Sequence, residues 1–453
     1  MNLPNYFLAD LPPEAALTPA MVAEACRALK RNRERYLLDR PTTQLVRVIA
    51  RIADNWRDAE FPFRKFALDL GPAATGFSRA TLAAGLDTFF ARLTEENLNL
   101  LLEQEFGDTR RLDEFAASPS ERLEKRSALA QGPALIAHIA AGNLPCPALM
   151  SIIHGLLVHS AQFLKCARGT ALLPRLFAHS LYDAEPKLGA CLEIAEWPGG
   201  TLSVEDALFA EADCVTATGT DETLTAIRQR LPQHARFLGH GHRVSFGYLT
   251  CDSLTHAQAR LLAQQAARDV AAWDQQGCLS PHLFYVENGG AISGERFAEL
   301  LAKELENHEQ LVPRGPLDVA SAASIATRRA FYEVRAAHSP ETRQWCSTDS
   351  TAWTVVYEAD ARFQISCLNR FVFVKEINDL NEVLRAAETV RGQISTIGLA
   401  ASAASAKEIA RKFAQWGATR ICPLGQMQNP PLTWRQDGRA PLNELVTWTD
   451  WEH

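Results

Sequence analysis

From residue 134 onward, short apolar runs alternate with segments of helical spacing, and this alternation restricts the possible folds more than any other feature of the sequence. Ala134-Leu-Ile-Ala-His-Ile-Ala140 reads as a buried strand, and Gly142-Asn143-Leu144-Pro145 breaks it. Residues 148–160 then have helical spacing, and residues 162–167 are strand-like again. That is the strand–turn–helix–strand unit of a parallel sheet. Helices fit residues 172–187, 204–211 and 222–231, with strands at 191–195 and 214–218. A second series has strands at 243–250, 282–287, 353–357, 371–375 and 395–400. Its helices fall at 254–273, 295–307 and 319–336, and residues 443–451 read as an edge strand. Residues 1–130 are helical by their three- and four-residue apolar spacing, with a charged, exposed stretch at 110–126. The sum is an α/β fold with two sheets, joined at the hinge Gly239-His-Gly-His242.

A chain of 453 residues with 47% hydrophobic content can build two or three domains with cores of their own. The formal net charge of −7 and the lack of a long basic run exclude a nucleic-acid binder. The first twenty residues contain Asp10 and Glu14 and lack the basic start and apolar run of a secretory signal. The longest apolar stretch, residues 148–164, carries His154 and His159 and falls short of the roughly 20 residues that span a membrane. The expectation is a cytoplasmic chain without a membrane span. The ten cysteines are scattered, with no CxxC pair and no zinc spacing, so no metal site is expected and most thiols should be buried.

Four pieces can carry chemistry. In Gln275-Gln-Gly-Cys278-Leu-Ser-Pro281 a helix ends, Gly277 is expected to supply a left-handed turn, and Cys278 sits just before a strand. That is a place for a nucleophilic thiol, although an ordinary buried cysteine fits as well. Asn143, on the turn between strand and helix, can donate to a developing oxyanion or simply cap the helix. Lys165 closes the next strand and would point into the crevice where nucleotides bind, and Arg168 could add charge for a 2′-phosphate. The alternative for Lys165 is a solvated strand end. Gly219 and Thr220 form a strand-to-helix turn whose amides could face a cofactor phosphate or a nicotinamide. Neither GxGxxG nor GxxxxGK[ST] occurs.

In order and spacing these pieces resemble the aldehyde dehydrogenase superfamily, and more closely the LuxC-type acyl-CoA reductases, the fatty-acid reductases of bacterial luminescence. The segments that carry the resemblance are His138-Ile-Ala-Ala-Gly-Asn-Leu-Pro145, Gly155-Leu-Leu with Lys165, Ala212-Asp-Cys-Val-Thr-Ala-Thr-Gly-Thr-Asp-Glu-Thr223, Gly239-His-Gly-His-Arg-Val-Ser-Phe246 and the Cys278 stretch. Arg420-Ile-Cys-Pro-Leu-Gly-Gln-Met427, Trp434-Arg-Gln-Asp-Gly438 and Leu445-Val-Thr-Trp-Thr-Asp-Trp-Glu452 complete it, over residues 130–453.

The resemblance implies an aldehyde-dehydrogenase-like α/β fold of two parallel-sheet Rossmann-type domains, a helical N-terminal region and a small oligomerisation segment. Residues 1–238 would hold the helical region and an NAD(P)-binding domain, 239–425 a catalytic domain, and 426–453 the oligomerisation segment, with 443–451 extending a neighbour's sheet in a homo-oligomer. Cys278 would accept the acyl group, Asn143 and the Cys278 amide would form the oxyanion hole, and Lys165 would contact the adenosine ribose. Gly219 and Thr220 would lie near the nicotinamide and pyrophosphate.

Two departures from the superfamily bear on the chemistry. Gly239-His-Gly-His-Arg243 stands where typical aldehyde dehydrogenases carry Glu-Leu-Gly-Gly-Lys, whose glutamate activates the hydrolytic water. The Glu-x-Phe ribose motif is missing near Leu368-Asn-Arg-Phe371. The first departure favours reduction of an acyl-CoA or acyl-carrier thioester to the aldehyde over oxidation to an acid. NADPH is the expected cofactor, from Lys165 and Arg168, with NADH as the alternative. His240 or His242 could donate a proton or serve a structural role. Two other readings stay open: a non-catalytic nucleotide- or partner-binding relative, and a cofactor-independent acyltransferase or thioesterase.

Overall fold

The computed structural model describes residues 3–12 and 14–453. Its strands are β1 (Arg126–Gln131), β2 (Leu135–Ile139), β3 (Ala161–Cys166), β4 (Leu192–Glu196), β5 (Cys214–Thr218), β6 (Arg236–His240) and β7 (Val244–Leu249). Then come β8 (Pro281–Glu287), β9 (Thr342–Cys346), β10 (Thr354–Glu358), β11 (Phe371–Ile377), β12 (Ile394–Ala400), β13 (Ile421–Pro423) and β14 (Thr447–Glu452). Five strands form a wholly parallel sheet in the order β4-β3-β2-β5-β6. Seven form the second, β13-β12-β7-β8-β11-β10-β9, parallel except for the antiparallel edge strand β9. Every residue of β3 and β7 is buried, as in parallel strands covered by helices on both faces. The change of sheet falls between His240 and Val244, so Gly239 and His240 belong to the last strand of the first sheet.

The N-terminal helices form for local reasons and dock for tertiary ones. Thr18, Ser78 and Thr94 cap helices Pro19–Tyr36, Arg79–Phe90 and Glu95–Phe106 by accepting backbone N–H groups. Helix Thr42–Arg57 buries Leu45, Val46, Ile49, Ile52, Ala53 and Trp56, one stripe at helical spacing, in a core shared with the first sheet. The stretch expected to be charged and exposed ends in β1, which pairs antiparallel with β14, Arg126 opposite Glu452. The C-terminal strand pairs with β1 of its own chain in a two-stranded sheet. It begins at Thr447, and residues Asn443–Leu445 form a 3-10 turn held by the buried Glu105 carboxylate, which accepts the amides of Leu442 and Asn443. Among the described residues no helix is long and apolar enough to cross a membrane.

The expected helix over 254–273 is shorter, Ala259–Ala271, and the turn beyond it differs from the one expected at Gly277. The left-handed residues are Trp273, Asp274 and Gln275, with φ of 52°, 49° and 65°, and Gly277 is not among them. Gly277 sits close to its neighbours: a Cβ there would lie 3.1 Å from Leu144 Cδ1, which would have to shift by a few tenths of an ångström. A second left-handed run, Leu368, Asn369 and Arg370, faces the first. Left-handed backbone is unfavourable for side-chain-bearing residues, so tertiary bonds must hold it. The fully buried Arg370 supplies them: Nε and Nη2 donate to Asp274 at 3.1 and 2.7 Å, and Nη1 to Glu309 at 2.7 Å and the Val312 carbonyl at 3.0 Å. Asp274 also accepts the Gly315 amide at 3.1 Å, and Gln276 donates to Asn369 at 2.6 Å. Removing the guanidinium strands a buried carboxylate. Arg370→Met should lower unfolding free energy by about 3–5 kcal/mol, read by urea denaturation; a loss below about 1 kcal/mol would show that the paired left-handed runs stand without it.

Candidate active site

The first sheet presents one chemical edge. Lys165, opposite Ile139 in register, lies near the carboxyl end of β3, Asn143 follows β2, Gly219 and Thr220 follow β5, and His240 ends β6. Ligands of open α/β sheets bind at this edge. The residues predicted from β2, β3 and β5 therefore share one face of the molecule. Cys278 comes from the second sheet, on the turn before β8.

The Cys278 turn is fastened on both sides. The buried Gln275 donates from Nε2 to the carbonyls of Pro281 (2.8 Å) and Phe371 (2.9 Å). The Ser245 hydroxyl donates to the Cys278 carbonyl at 2.7 Å. Asn143 Nδ2 donates to the Gln276 carbonyl at 2.9 Å, which brings the two central sequence candidates onto one short stretch of loop. An amide carries two N–H donors, so one remains for an acyl oxygen. Cys278 and Cys346 are the exposed cysteines among the described residues.

Although Cys278 is accessible, its sulfur sits among enough protein atoms that burial is the largest influence on it, raising the thiol above its usual range. The Asp437 carboxylate pushes in the same direction, while the Ser395 hydroxyl, the Cys278 amide and Arg243 push it down. The free protein therefore holds mostly thiol, and a nucleophilic thiolate has to be produced in the site.

Where a water-activating carboxylate would be expected, the chain builds a cationic cluster. His240 Nδ1 lies 2.9 Å from Asp437 Oδ2 and 3.0 Å from Arg439 Nη2, and Arg243 Nε donates to Asp437 Oδ1 at 3.1 Å. Arg439 donates to the Gly239 carbonyl at 2.7 Å. Burial raises the Asp437 carboxyl, but His240 and Arg243 outweigh it and hold it below the ordinary carboxylate range, so it stays ionised. His240 thus has a partner that fixes its ring, whereas His242 is exposed.

Lys165 is buried, 6.0 Å from the Trp197 ring centroid, and burial lowers its ammonium pKa, with Glu205, Cys166 and Glu196 opposing. The solvated alternative for it is overturned. Arg168 is exposed on the loop after β3. Thr220 caps helix Asp221–Arg230 by accepting the Thr223 amide, leaving that helix N-terminus at the sheet edge beside the half-buried Gly219. A small cleft of about 60 Å³ borders Asn143, with a largely apolar wall of Ala74, Phe77, Leu144, Ala148, Leu173 and Pro174. Among the described residues no cluster of three or more His, Cys, Asp or Glu could hold a metal ion.

Sequence reasoning missed Asp437, Arg439, Arg243 as a charge partner, and Ser395. Trp434-Arg-Gln-Asp-Gly438 was visible as a segment, but nothing local shows that it lies against His240, 197 residues away.

The sequence profile of the family described as Acyl-CoA reductase (LuxC) matches residues 37–448. The chain is 25% identical over 321 residues to the long-chain acyl-protein thioester reductase 2 of Photobacterium leiognathi, covering 70% of this chain and 63% of the relative. It is 24% identical over 332 residues to the long-chain acyl-protein thioester reductase of Aliivibrio fischeri, covering 71% and 65%. The match thus spans less than two thirds of the length of either relative. The structure of an indole-3-acetaldehyde dehydrogenase in complex with NAD+ superposes with a TM-score of 0.71 at 15% identity, over 96% of this chain and 89% of the other. That similarity shows an aldehyde-dehydrogenase-like fold.

The raised thiol predicts that iodoacetamide labelling of Cys278, followed by peptide mass spectrometry, accelerates with pH without a plateau below about pH 8. Asp437→Asn removes the charge that opposes thiolate formation. It should speed labelling at about pH 7.5 by about threefold to tenfold, and an unchanged or slower rate would refute the electrostatic assignment.

Proposed function

Because the chain belongs to the acyl-CoA reductase (LuxC) family, we propose that it reduces a fatty acyl thioester, presented on CoA or an acyl-carrier protein, to the aldehyde through an acyl group carried on Cys278. The observation that supports this is the accessible Cys278 thiol on a turn tied, through the Gln276 carbonyl, to Asn143, which itself borders a cleft with apolar walls.

The Cys278 thiolate attacks the acyl carbon, the carrier's C–S bond breaks, and its electron pair leaves with the carrier thiolate. Asn143 and the Cys278 amide hold the acyl oxygen as charge develops on it, on the order of 3 kcal/mol per donor. A reduced nicotinamide, when bound, supplies the hydride that the acyl carbon accepts. The thiohemiacetal on Cys278 then opens, the C–S electron pair returns to Sγ, and the aldehyde departs. Water is poorly activated because the one carboxylate found to influence the thiol, Asp437, is held below the ordinary carboxylate range by His240 and Arg243 and is a weak base toward it. An acyl-enzyme protected in this way is suited to reduction and poorly suited to hydrolysis, which separates this reading from a thioesterase.

The residues present fit a dinucleotide. The exposed N-terminus of helix Asp221–Arg230 at Gly219 and Thr220 suits a pyrophosphate, and the Trp197 Nε1 beside Lys165 is buried without a partner. Lys165 would hold the ribose side, and the exposed Arg168 guanidinium suits a 2′-phosphate, which favours NADPH over NADH.

Incubation with radiolabelled acyl-CoA should place the label on Cys278, and Cys278→Ala should abolish both labelling and aldehyde formation, on the order of a thousandfold or more. A Cys278→Ala protein that still acquires label and still forms aldehyde would end the proposal. Arg168→Ala should raise KM for NADPH about tenfold while leaving KM for NADH within about twofold; equal changes for both would remove Arg168 from the 2′-phosphate site.

A further inference from the structure

The loop that leaves β3, residues 167–171, is held from two sides. On one side stands Glu196, the last residue of β4 and the register partner of Cys166. Its two carboxylate oxygens accept the Gly169 amide at 2.7 Å and the Ala171 amide at 3.2 Å. Ala171 precedes helix Leu172–Ala184 and has no side chain to cap it, so a carboxylate from the neighbouring strand serves that helix N-terminus instead.

Within the loop, the Thr170 hydroxyl donates to the Ala167 carbonyl at 2.8 Å, and Gly169 adopts the left-handed conformation, φ 83°, that so tight a turn requires. On its other side the loop lies against Gly142, where a Cβ would come within 2.9 Å of Thr170 Cγ2 and 3.3 Å of Ala167 Cβ. Gly142 precedes Asn143, so the loop that Glu196 fixes also abuts the turn carrying the oxyanion donor.

Arg168 is exposed at the tip of this loop. A guanidinium on a long, flexible stem is only as well placed as the backbone that carries it. In a dinucleotide-binding sheet, an acidic residue at a strand end ordinarily takes the ribose hydroxyls, and an arginine accommodates a 2′-phosphate. Glu196 stands at such a strand end, yet its oxygens are directed at the amides on either side of Thr170, in the loop that bears the arginine.

We propose that Glu196 is a positioning residue for cofactor choice: by accepting the Gly169 and Ala171 amides it fixes the loop that presents Arg168 to the 2′-phosphate of NADPH. The inference rests on the NADPH preference proposed above, and its sign is opposite to that of simple charge. Were Glu196 to act on the cofactor as a bare anion, removing its charge would strengthen 2′-phosphate binding. Acting through the loop, the same change weakens it, because a glutamine amide puts an N–H donor where the second backbone N–H needs an acceptor.

The test reads binding alone. Kd for NADPH and for NADH is measured by nucleotide fluorescence titration, without any acyl donor, in the full-length protein, in Glu196→Gln, in Arg168→Ala and in the double variant. Thermal unfolding is recorded in parallel. Glu196→Gln should raise Kd for NADPH about tenfold and leave Kd for NADH within about twofold. Arg168→Ala should weaken NADPH about tenfold in the wild-type background and less than about twofold in the Glu196→Gln background, since a guanidinium no longer aimed has little left to lose. Glu196→Asp, which keeps the charge and shortens the reach, should also weaken NADPH alone. NADPH binding that tightens or stays unchanged in Glu196→Gln would overturn the proposal, as would full additivity of the two substitutions. Equal weakening of both nucleotides would overturn it too, because the loop would then serve the site as a whole. A wild-type protein that binds both nucleotides equally, with Arg168→Ala altering neither, would refute the NADPH preference and this inference with it. A wild type that prefers NADPH through Arg168, beside a Glu196→Gln protein that behaves the same way, would refute this inference alone.

Discussion

A single buried guanidinium, Arg370, holds together the backbone on which the site depends. It joins two runs of left-handed residues, Trp273 to Gln275 and Leu368 to Arg370, that would each relax if alone. Each run avoids regular structure just where a helix or strand would otherwise continue. The first lets the chain leave helix Ala259–Ala271 and arrive at Cys278 two residues after Gln276, whose carbonyl takes the Asn143 amide. The second turns the chain into β11, beside which β8 emerges from the cysteine turn. The strain in these two runs is tolerable because buried charge-assisted hydrogen bonds over-determine the geometry. The position of the thiol thus depends on an arrangement that has no slack, and the loop is held firmly by the same bonds that offset its local strain.

Around that turn, the electrostatics work against one another in a graded way. Burial and Asp437 disfavour the thiolate, while Arg243, the backbone amide and Ser395 favour it. A sulfur held so is protected from indiscriminate oxidation and alkylation at neutral pH, yet needs only modest local help to ionise. Both oxygens of Asp437 contact cationic or polar partners, His240 and Arg243, which lower its pKa and make it a weaker base toward water. The same carboxylate therefore tunes the thiol and contacts the histidine while remaining a weak base. In a thioester reductase this division matters, because the acyl-sulfur bond must outlast the approach of the hydride donor.

Much of the first sheet was legible in the sequence because its signals are local. Ala134 to Ala140, the glycine-asparagine break and the helix beyond them are contiguous, and so are Cys214 to Thr218 and the Thr220 cap. Other elements were weak by the same standard. β1 has the mixed sequence Arg-Ser-Ala-Leu-Ala-Gln, and its partner β14 lies at the far end of the chain. β9 and β13 are short edge strands whose hydrogen bonds, more than their composition, define them. Gly277 shows the limit most clearly: glycine before a catalytic turn suggests a left-handed residue, but the residues that adopt that conformation carry large side chains, and no propensity argument places tryptophan, aspartate and glutamine there.

What the sequence determined by itself was the order of parallel-sheet units and the candidates for chemistry, Cys278, Asn143 and Lys165, together with the absence of a glutamate in the Gly239-His-Gly-His-Arg243 stretch. Those follow from period, punctuation and side-chain chemistry, which are properties of neighbouring residues. Only the tertiary structure decided how those groups are conditioned. Asp437 reaches His240 across 197 residues, Ser245 bridges the Thr396 amide to the Cys278 carbonyl, and Lys165 is buried against Trp197. The reason is physical: reactivity depends on charge, solvent and hydrogen bonds within a few ångströms, and in a parallel α/β protein the atoms that close together come from strands far apart along the chain.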